Sequence, residues 1–339
     1  MTDHPDVTDR LGRGLADLRV SVTDRCNFRC RYCMPREAFG SDHAFLERDE
    51  LLTFEEITRV VRAAVECGVR KVRLTGGEPL VRRDLPRLIG MLARVDGVED
   101  LALTTNGSLL AEQAGALRAA GLHRLTVSLD TLDEATFRAI SDVALPLARV
   151  LDGLDVARAV GFSPLKLNTV VRRGRGDGEV VDLAAYARAR GDVIRFIEYM
   201  DVGTTNGWRN DEIVPADEIV ARIDAAFPLE PVGPTVAGEV AERYRYRDGT
   251  GEIGVVASVT RPFCRTCVRA RVSAKGELYT CLFSARGHDL RALLRGGASD
   301  AQLTARLRDL WLLRTDRYSE TRSAHAVTPP KVEMSYIGG

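Results

Sequence analysis

Two groups of three cysteines are the residues best suited to chemistry in this chain of 339 residues. The first cysteine set is Cys26, Cys30 and Cys33, with the spacing C-x3-C-x2-C in the segment CNFRCRYC. Three thiols in one tight loop each hold one iron of a cubane cluster, which leaves the fourth iron open for a small molecule. A zinc site with a distant fourth ligand, or three structural thiols, is the alternative. The spacing favours the iron–sulfur cluster.

The second cysteine set is Cys264, Cys267 and Cys281, in the last third of the chain. A small zinc ribbon that takes Cys67 or His288 as its fourth ligand is the alternative here, and the spacing alone does not decide. Outside both sets, Cys67 precedes a glycine at the end of a predicted helix, and we expect it to be packed in the core.

Arginines crowd the second cysteine set, at positions 261, 265, 269 and 271. Arg269 and Arg271 alternate along a predicted strand, so both guanidinium groups point to one face. Two aligned cations beside a cluster suit a polyanion such as a triphosphate, or charge that develops in a transition state. A solvated basic edge strand is the alternative.

The composition limits the classes of partner and compartment. The chain has 48 basic and 48 acidic residues, so no overall field draws it to nucleic acid or to a membrane. No run of about eighteen apolar residues occurs, and the start has no signal-peptide pattern. We therefore expect a cytoplasmic protein, in which clustered cysteines indicate metal ligation rather than disulfides.

The elements that must position these residues alternate between strand and helix. Short apolar runs predict strands at 18–23, 71–75, 101–105, 124–129, 165–171 and 193–199, and amphipathic stretches such as 53–68 lie between them. Mostly continuous apolar strands that alternate with helices predict a parallel sheet covered by helices. This pattern fits either an incomplete barrel or a doubly wound sheet.

The positions of the motifs favour the barrel. The first cysteine set, GGEP at 76–79, TNG at 105–107, the stretch 128–130, Asn168 and Met200 all follow strand ends. Barrel enzymes build their sites from several strands at that face, whereas a doubly wound sheet concentrates its site at one switch point. We therefore predict an α/β fold with an incomplete (β/α)6 TIM-type barrel and a smaller α+β C-terminal domain.

The predicted boundary between the two domains falls at 227/228, where the stretch 228–239 is rich in proline and glycine and is interpreted as a linker. Residues 1–227 form the barrel, and residues 228–339 form the domain with the second cysteine set and the tail. The tail lacks periodicity and ends in Gly338-Gly339, which allows its backbone to enter a narrow channel. We expect this tail to work inside the active site.

CNFRCRYC followed by TGGEP resembles the radical S-adenosylmethionine (AdoMet) enzymes, whose partial barrel carries this loop after its first strand. The resemblance implies that the first cysteine set binds a 4Fe–4S cluster and that AdoMet chelates its open iron. One electron then splits AdoMet into methionine and a 5′-deoxyadenosyl radical. Backbone groups of Gly76, Gly77 and Glu78 are expected to bind the methionine amino group.

A wider set of segments resembles the GTP 3′,8-cyclase family of molybdenum cofactor biosynthesis: DLRVSVTDRCNFRCRYCMP, KVRLTGGEPLVR, LTTNG, TVSLDTLD, LKLNTVV, RFIEYMDVG, FCRTCVRARVSAKGELYTCLF and the terminal Gly-Gly. The resemblance implies that the 5′-deoxyadenosyl radical takes hydrogen from C3′ of GTP and that the C3′ radical then attacks C8 of guanine. An electron and a proton complete the cyclised product. The resemblance also implies a second 4Fe–4S cluster on the second cysteine set, whose open iron holds the guanine base.

The same resemblance implies roles for individual residues. The expected GTP contacts are Arg19, Arg73, Thr104, Lys166, Arg269, Ala270 and Arg271. The expected AdoMet contacts are Tyr32, Gly77, Ser128 and Met200. Catalytic parts are expected for Arg195, Arg269 and Arg271.

Residue chemistry supports the cationic part of this assignment independently. Arg19, Arg73 and Lys166 lie on different predicted strands, so they converge on phosphates only inside a barrel mouth. Lysine occurs at only four positions in an arginine-rich chain, which favours a specific role for Lys166 over a solvated strand end. Arg195 lies in mid-strand, where burial without a partner is costly, so it either has an inward functional role or pairs with a carboxylate such as Glu198 or Glu78.

Two rival functions remain at this stage. A peptide-modifying radical AdoMet enzyme usually has more cysteines near its C-terminus and lacks the Gly-Gly end, and a non-catalytic module would use both sets for structural zinc. The expected partners are cyclic pyranopterin monophosphate synthase downstream and a protein that supplies electrons, with no nucleic acid and no membrane. The sequence does not determine the oligomeric state, and a homodimer is one option.

Overall fold

The computed structural model of the chain describes residues 7–236, 238–322 and 331–338. Six parallel strands form the centre of one sheet in chain order: β1 (Asp17–Ser21), β2 (Lys71–Thr75), β3 (Asp100–Thr105), β4 (Arg124–Ser128), β5 (Lys166–Val171) and β6 (Val193–Glu198). Their positions match the six predicted strands to within about two residues, which is the usual uncertainty of element boundaries.

Six later strands extend this sheet at both sides: β7 (Leu229–Val232), β8 (Glu242–Tyr246), β9 (Glu252–Val256), β10 (Arg269–Val272), β11 (Glu277–Tyr279) and β12 (His288–Asp289). The strand order is β12-β11-β10-β1-β2-β3-β4-β5-β6-β9-β8-β7. β10 is parallel to β1 and β9 is parallel to β6, whereas the outer pairs are antiparallel. The end strands β12 and β7 do not pair, so the barrel is incomplete, as predicted.

The helices are α1 (Phe54–Glu66), α2 (Leu85–Leu92), α3 (Leu110–Ala119), α4 (Glu134–Ser141), α5 (Ala148–Ala159), α6 (Val180–Ala189), α7 (Ala216–Ala226), α8 (Arg291–Arg295), α9 (Asp300–Leu312), α10 (Tyr318–Thr321) and α11 (Met334–Ile337). α1 begins at a capping box in which Thr53 and Glu56 bond each other's backbone amides, which explains the predicted start of this helix. Among the described residues, no helix has the length and apolar character needed to cross a bilayer.

The central strands differ in one respect from the expectation of mostly continuous apolar runs. Leu18 and Val20 of β1 are almost fully buried in the core, whereas Arg19 between them faces the opposite side of the sheet. The same alternation places Leu74 of β2 in the core and Arg73 on the inner face. The core therefore lies between the sheet and its helices, and the inner face of the barrel is polar.

The segment interpreted as a linker is structured in its first part. β7 lies within it and pairs with β8, Leu229 opposite Tyr246. Pro231 is tolerated because β7 is an edge strand, where a missing backbone N–H costs little. The proposed division of the chain at 227/228 stays a prediction.

Candidate functional site

Close contact with the turn after β2 positions the first cysteine set. The amide of Gly77 donates a hydrogen bond to the carbonyl of Thr23, and that of Glu78 donates to the carbonyl of Arg25, both at 2.8 Å. A Cβ on Gly77 would overlap the carbonyl group of Arg25. Glycine at this position is therefore what allows the GGEP turn to pack against the backbone that leads into Cys26.

Side-chain amides hold the same loop from the end of β3. Asn106 Nδ2 donates to Asn27 Oδ1 at 2.9 Å and lies 3.9 Å from the sulfur of Cys26. Asn27 Nδ2 in turn donates to Ser108 Oγ at 2.9 Å. The buried carboxylate of Glu78 fixes Asn106 by accepting its backbone amide at 2.7 Å. The TNG segment thus orients the first cysteine of the loop.

The thiols of the first cysteine set are free and strongly desolvated. Burial and the nearby Glu78 carboxylate raise the pKa of Cys26 to about 12. Burial and the adjacent thiols of Cys26 and Cys33 raise the pKa of Cys30 well above its ordinary value. A cationic metal centre would reverse this preference, because thiol ligands bind as thiolates and release their protons. The site fits a positively charged inorganic group.

Tyr32, inside the same loop, contacts the ends of two further strands. Its hydroxyl donates to Asp130 Oδ2 at 2.8 Å, and Asp130 Oδ1 accepts the backbone amide of Val170 at 2.8 Å. Burial raises the pKa of Asp130 to about 6, although these two hydrogen bonds oppose the change. The interaction ties the first cysteine loop to the ends of β4 and β5.

A cavity that is partly open to solvent lies on the inner face of the barrel. Of the residues predicted for the site, it is lined by Arg19, Tyr32, Arg73, Thr104, Arg195, Met200, Cys264, Cys267, Arg269, Arg271 and Cys281. The structure therefore brings the second cysteine set and most of the predicted ligand contacts to one space.

Three arginines form a row across adjacent parallel strands in this cavity. The strand register pairs Arg271 with Arg19 and Arg19 with Arg73. Neighbouring strands lie about 5 Å apart, so these cations stand side by side. Arg73 donates to Thr126 Oγ1 at 2.9 Å and to Thr104 Oγ1 at 3.1 Å, and none of these partners is charged.

The crowding leaves the cations poorly compensated. Burial and the neighbouring Arg271 and Arg269 lower the pKa of Arg19 well below its ordinary value. Burial and Arg269 lower the pKa of Arg271 to about 10. The Nε atoms of Arg19 and Arg269 are buried and have no hydrogen-bond partner within the described part of the chain. An anionic ligand would supply the missing charge and acceptors.

Arg195 faces the cavity and does not pair with a carboxylate within the described residues. Its Nε donates to Asn168 Oδ1 at 3.0 Å, and its Nη2 donates to Thr126 Oγ1 at 3.4 Å. Both carboxylates considered as partners are engaged elsewhere: Glu198 accepts the amides of Val259 and Thr260, and Glu78 accepts those of Leu80 and Asn106. Burial and Arg73 lower the pKa of Arg195 to about 9.

Four predicted ligand contacts lie outside the lining of this cavity: Gly77, Ser128, Lys166 and Ala270. Lys166 lies two residues before Asn168 on the same face of β5. Burial and the neighbouring Arg195 lower the pKa of Lys166 to about 8. The side chain of Ala270 points away from the cavity, to the opposite face of β10, and is fully buried in the core. Its methyl group therefore does not reach a ligand in the cavity.

The second cysteine set borders the cavity from two segments. Cys264 begins the 3-10 turn Cys264–Thr266 before β10, Cys267 follows this turn directly, and Cys281 follows β11. Arg269 Nη2 lies 3.6 Å from the sulfur of Cys267. Burial would raise the pKa of Cys267, but Arg269 and Arg314 outweigh it and lower that pKa to about 6. The thiolate, the form that ligates a metal, is thereby favoured.

Neither cysteine set has the geometry of a single-ion site. Across the described ranges, no three Cys, His, Asp or Glu side chains converge on one metal ion. Zinc requires its ligands within about 2.3 Å of one centre, whereas a cubane cluster places each cysteine sulfur on a different iron. Cys67, offered as a zinc ligand, is buried at the end of α1 with its sulfur 3.7 Å from the carbonyl of Thr304.

The described part of the C-terminal tail enters the cavity region. Lys331 is buried and donates to Asp201 Oδ2 at 2.6 Å, and Met334 lines the cavity. At the far end, Arg271 Nη1 donates to the carbonyl of Gly338, which packs against Thr75 with a left-handed φ of 75°. A Cβ at this position would overlap the Thr75 side chain, so glycine is required. Gly339 lies outside the described residues.

Sequence reasoning missed several polar residues of this region. Lys331 had a signal, because it is one of only four lysines in the chain. Arg13 and Arg314 line the cavity and are buried, but nothing in their local sequence distinguishes them from the other arginines. Only the fold brings them to the second cysteine set.

Comparison with known proteins adds to this geometry. The model of the Radical SAM superfamily matches residues 20–187, and the model described as Molybdenum Cofactor Synthesis C matches residues 192–320. SuiB of Streptococcus suis, solved with its precursor peptide SuiA, aligns with a TM-score of 0.60 and 15% identity over 95% of this chain and 68% of its own. Methylornithine synthase aligns with a TM-score of 0.53 and 15% identity over 92% of this chain and 86% of its own. These two likenesses show a shared fold.

The partial barrel with a three-cysteine loop after its first strand, matched by the superfamily model, defines a radical SAM protein. Curated relatives narrow the class. A GTP 3′,8-cyclase of Acidothermus cellulolyticus is 58% identical over 98% of this chain and 99% of its own. Those of Xanthomonas axonopodis pv. citri and Staphylococcus saprophyticus are 51% and 47% identical, each over 98% of this chain and at least 98% of their own. The chain belongs to the GTP 3′,8-cyclase family.

Proposed function

We propose that the chain converts GTP to 3′,8-cyclo-7,8-dihydro-GTP, the first step of molybdenum cofactor biosynthesis. The relatives that carry this activity in their names align with 98% of the chain, and the C-terminal family model is that of molybdenum cofactor synthesis. The structural observation that carries the proposal is the row of Arg271, Arg19 and Arg73 in the cavity that the second cysteine set borders.

The arginine row is suited to bind the triphosphate. Guanidinium groups form paired, charge-assisted hydrogen bonds with phosphate oxygens, and a triphosphate brings several negative charges to a cavity that is short of them. Lys166 adds a cation deeper on the same inner face, and Thr104 adds a hydroxyl. Arg269 and the backbone of Ala270 complete the predicted GTP contacts. Arg73 and Arg271 are buried, which limits the positions that these two cations can take before the ligand arrives.

The first cysteine set is proposed to hold a 4Fe–4S cluster, with AdoMet beside it. When bound, this pair supplies the 5′-deoxyadenosyl radical that starts the reaction. The chain would bind AdoMet through Tyr32, the backbone of Gly77, Ser128 and the main chain of Met200. Two of these four residues line the cavity, and Gly77 packs on the cysteine loop itself.

The second cysteine set is proposed to hold a further 4Fe–4S cluster that contacts the guanine base. The support is that all three cysteines line the cavity on the inner face and that the pKa of Cys267 is lowered, because Arg269 and Arg314 outweigh its burial. Arg195, Arg269 and Arg271 are the proposed catalytic cations, because each faces the cavity and could stabilise negative charge that develops on the substrate.

The partners inferred from the sequence remain part of the proposal. The product would pass to a cyclic pyranopterin monophosphate synthase, and a reductant protein would supply the electron. A cytoplasmic location is supported by the six clustered thiols, which need a reducing compartment. A homodimer remains one option for the assembly.

The proposal is tested by anaerobic incubation of the iron-reconstituted protein with AdoMet, GTP and a chemical reductant. We expect about eight irons and no zinc per chain by metal analysis, two cubane clusters accounting for the iron. Mass spectrometry should then find 5′-deoxyadenosine and a cyclised nucleotide with the mass of GTP. Stoichiometric zinc, or turnover of AdoMet without a cyclised nucleotide in the wild type, would contradict the proposal.

A further inference from the structure

A buried network of charged residues contacts the second cysteine set and is not among the proposed contacts with GTP and AdoMet, although its Arg13 and Arg314 also line the cavity. Asp9, before β1, forms ion pairs with Arg13 and with Arg314, which follows α9 and is distant in sequence. The side chains of Arg13 and Arg314 are 2% and 1% exposed, and that of Asp9 is fully buried. Burial of three charges at one place is costly unless each is well bonded.

Asp9 orients both arginines. Its Oδ2 accepts Arg13 Nε at 2.6 Å and lies 3.5 Å from Arg314 Nη1, and its Oδ1 accepts the backbone amide of Arg13 at 2.9 Å. Trp311 adds two contacts, because its indole N–H donates to the carbonyl of Arg13 at 2.9 Å and the Arg314 guanidinium lies 4.4 Å above its ring. These contacts hold both guanidinium groups, although Arg13 Nη2 and Arg314 Nε are buried without a hydrogen-bond partner among the described residues.

Both arginines also donate hydrogen bonds to backbone carbonyls of the loop that carries Cys264 and Cys267. Arg13 Nη1 donates to the carbonyl of Cys264 at 2.7 Å, and Arg314 Nη1 donates to the carbonyl of Cys267 at 2.7 Å. Asp316 connects the network to the third cysteine, because its carbonyl accepts Arg13 Nη1 at 2.8 Å and its Oδ2 accepts the hydroxyl of Thr280 at 2.6 Å. Each segment that carries a ligand of the second set is thus tied to the same network.

We propose that Arg13 and Arg314, held by Asp9, are positioning residues that aim Cys264 and Cys267 at the second cluster and set its reduction potential. A held carbonyl fixes the peptide plane next to the cysteine Cα and so limits the directions open to the sulfur. Groups behind metal ligands typically change metal affinity or activity by 10–100-fold when they are lost. Nearby cations and hydrogen bonds also make a cluster easier to reduce.

This inference rests on the proposed second cluster, so the test isolates that cluster. The parent variant replaces Cys26, Cys30 and Cys33 by Ala, which leaves the second cysteine set as the expected iron site. In this background Arg314→Met removes the cation but keeps the stem, and Arg314→Lys restores the charge without the planar fork. Arg265→Met is the matched control, because Arg265 lies in the same cysteine loop but its side chain is 83% exposed.

Three quantities are measured under anaerobic conditions: iron content, the rate of iron loss to a chelator, and the midpoint potential from a spectroscopic redox titration. Arg314→Met should lose iron about tenfold faster than the parent and show a lower midpoint potential, whereas Arg265→Met should match the parent. Arg314→Lys should return the potential towards the parent value. A merely structural role would change the melting of the protein but not the potential of the cluster.

The outcomes separate the two claims. A parent variant that binds no iron contradicts the second cluster of the proposed function and removes this inference with it. An iron-loaded parent whose iron loss and potential are unchanged by Arg314→Met overturns the inference alone. If Arg314→Met fails to fold, as judged by circular dichroism, Arg314→Lys and Asp9→Asn decide: unchanged iron loss in both would overturn the inference.

Discussion

Replacement of Arg19 by methionine should make the free protein more stable and GTP binding weaker. Arg19 lies between Arg271 and Arg73 in register, and its Nε has no partner among the described residues. At a separation of about 5 Å, each neighbouring cation repels it by about 1 to 3 kcal/mol for effective dielectric constants between 80 and 20. Methionine keeps the aliphatic stem and removes this repulsion.

The expected gain is at least about 1 kcal/mol, because Asp17 offsets part of the repulsion by attracting Arg19. In a protein of this size, about 1 kcal/mol corresponds to a rise in melting temperature of roughly 2 °C. The loss of one charge-assisted hydrogen bond to phosphate costs about 1.5–3 kcal/mol, which is a tenfold to hundredfold weaker Kd for GTP.

The assay combines thermal melting with equilibrium GTP binding, both on the cluster-loaded protein under anaerobic conditions. Arg87→Met is the control, because Arg87 is exposed on α2 and pairs with the exposed Glu55, so neither quantity should change much. A variant that is more stable but binds GTP more weakly indicates that Arg19 destabilises the free protein and contributes to GTP binding. An Arg19→Met variant that is destabilised and binds GTP normally would refute this reasoning.

Four further predictions concern other parts of the site. Cys67→Ser should retain the full iron content and turnover, because Cys67 only packs at the end of α1; iron loss would show that the two cysteine sets are wrongly assigned. Deletion of Gly338 and Gly339 should abolish the cyclised product at unchanged iron content, since Arg271 and Thr75 receive the tail; unchanged product formation would disprove a role for the tail. Replacement of all three cysteines of the second set by Ala should keep AdoMet cleavage but end cyclisation, and any cyclised product would make that set structural. Burial and nearby arginines lower the pKa of Lys166 to about 8, so its positive charge is lost as pH rises through that value. GTP affinity of the wild type should therefore fall between about pH 7 and 9, and that of Lys166→Gln should fall less. Equal pH profiles of GTP affinity in the two proteins would exclude Lys166 as a phosphate ligand.

The sequence predicted the six central strands well because their signal is local. Each has a short β-branched run bounded by turn residues, and that pattern survives in the fold almost unchanged. The convergence of Arg19 and Arg73 on one space was predicted, since parallel strands with alternating side chains place them on one face, whereas Lys166, predicted with them, lies outside the lining of the cavity. What the sequence could not give was the register, which puts Arg271 beside Arg19.

The parts that were missed depend on contacts between distant segments. Arg13 and Arg314 approach the second cysteine set only after the chain ends meet, across more than 240 residues of sequence in the case of Arg13 and Cys264. β7 was missed because proline and glycine dominate its surroundings, and only pairing with β8 makes it a strand. Ala270 was included as part of a motif, although alternation along β10 turns its side chain into the core.

Transfer of deuterium from substrate to cofactor is the most direct test of the central claim that GTP and AdoMet meet in one cavity. GTP labelled with deuterium at C3′ would be incubated anaerobically with the reconstituted protein, AdoMet and reductant, and the 5′-deoxyadenosine analysed by mass spectrometry. We expect one deuterium in the 5′-deoxyadenosine and a cyclised nucleotide that has lost it. Unlabelled 5′-deoxyadenosine together with unchanged GTP would contradict the account.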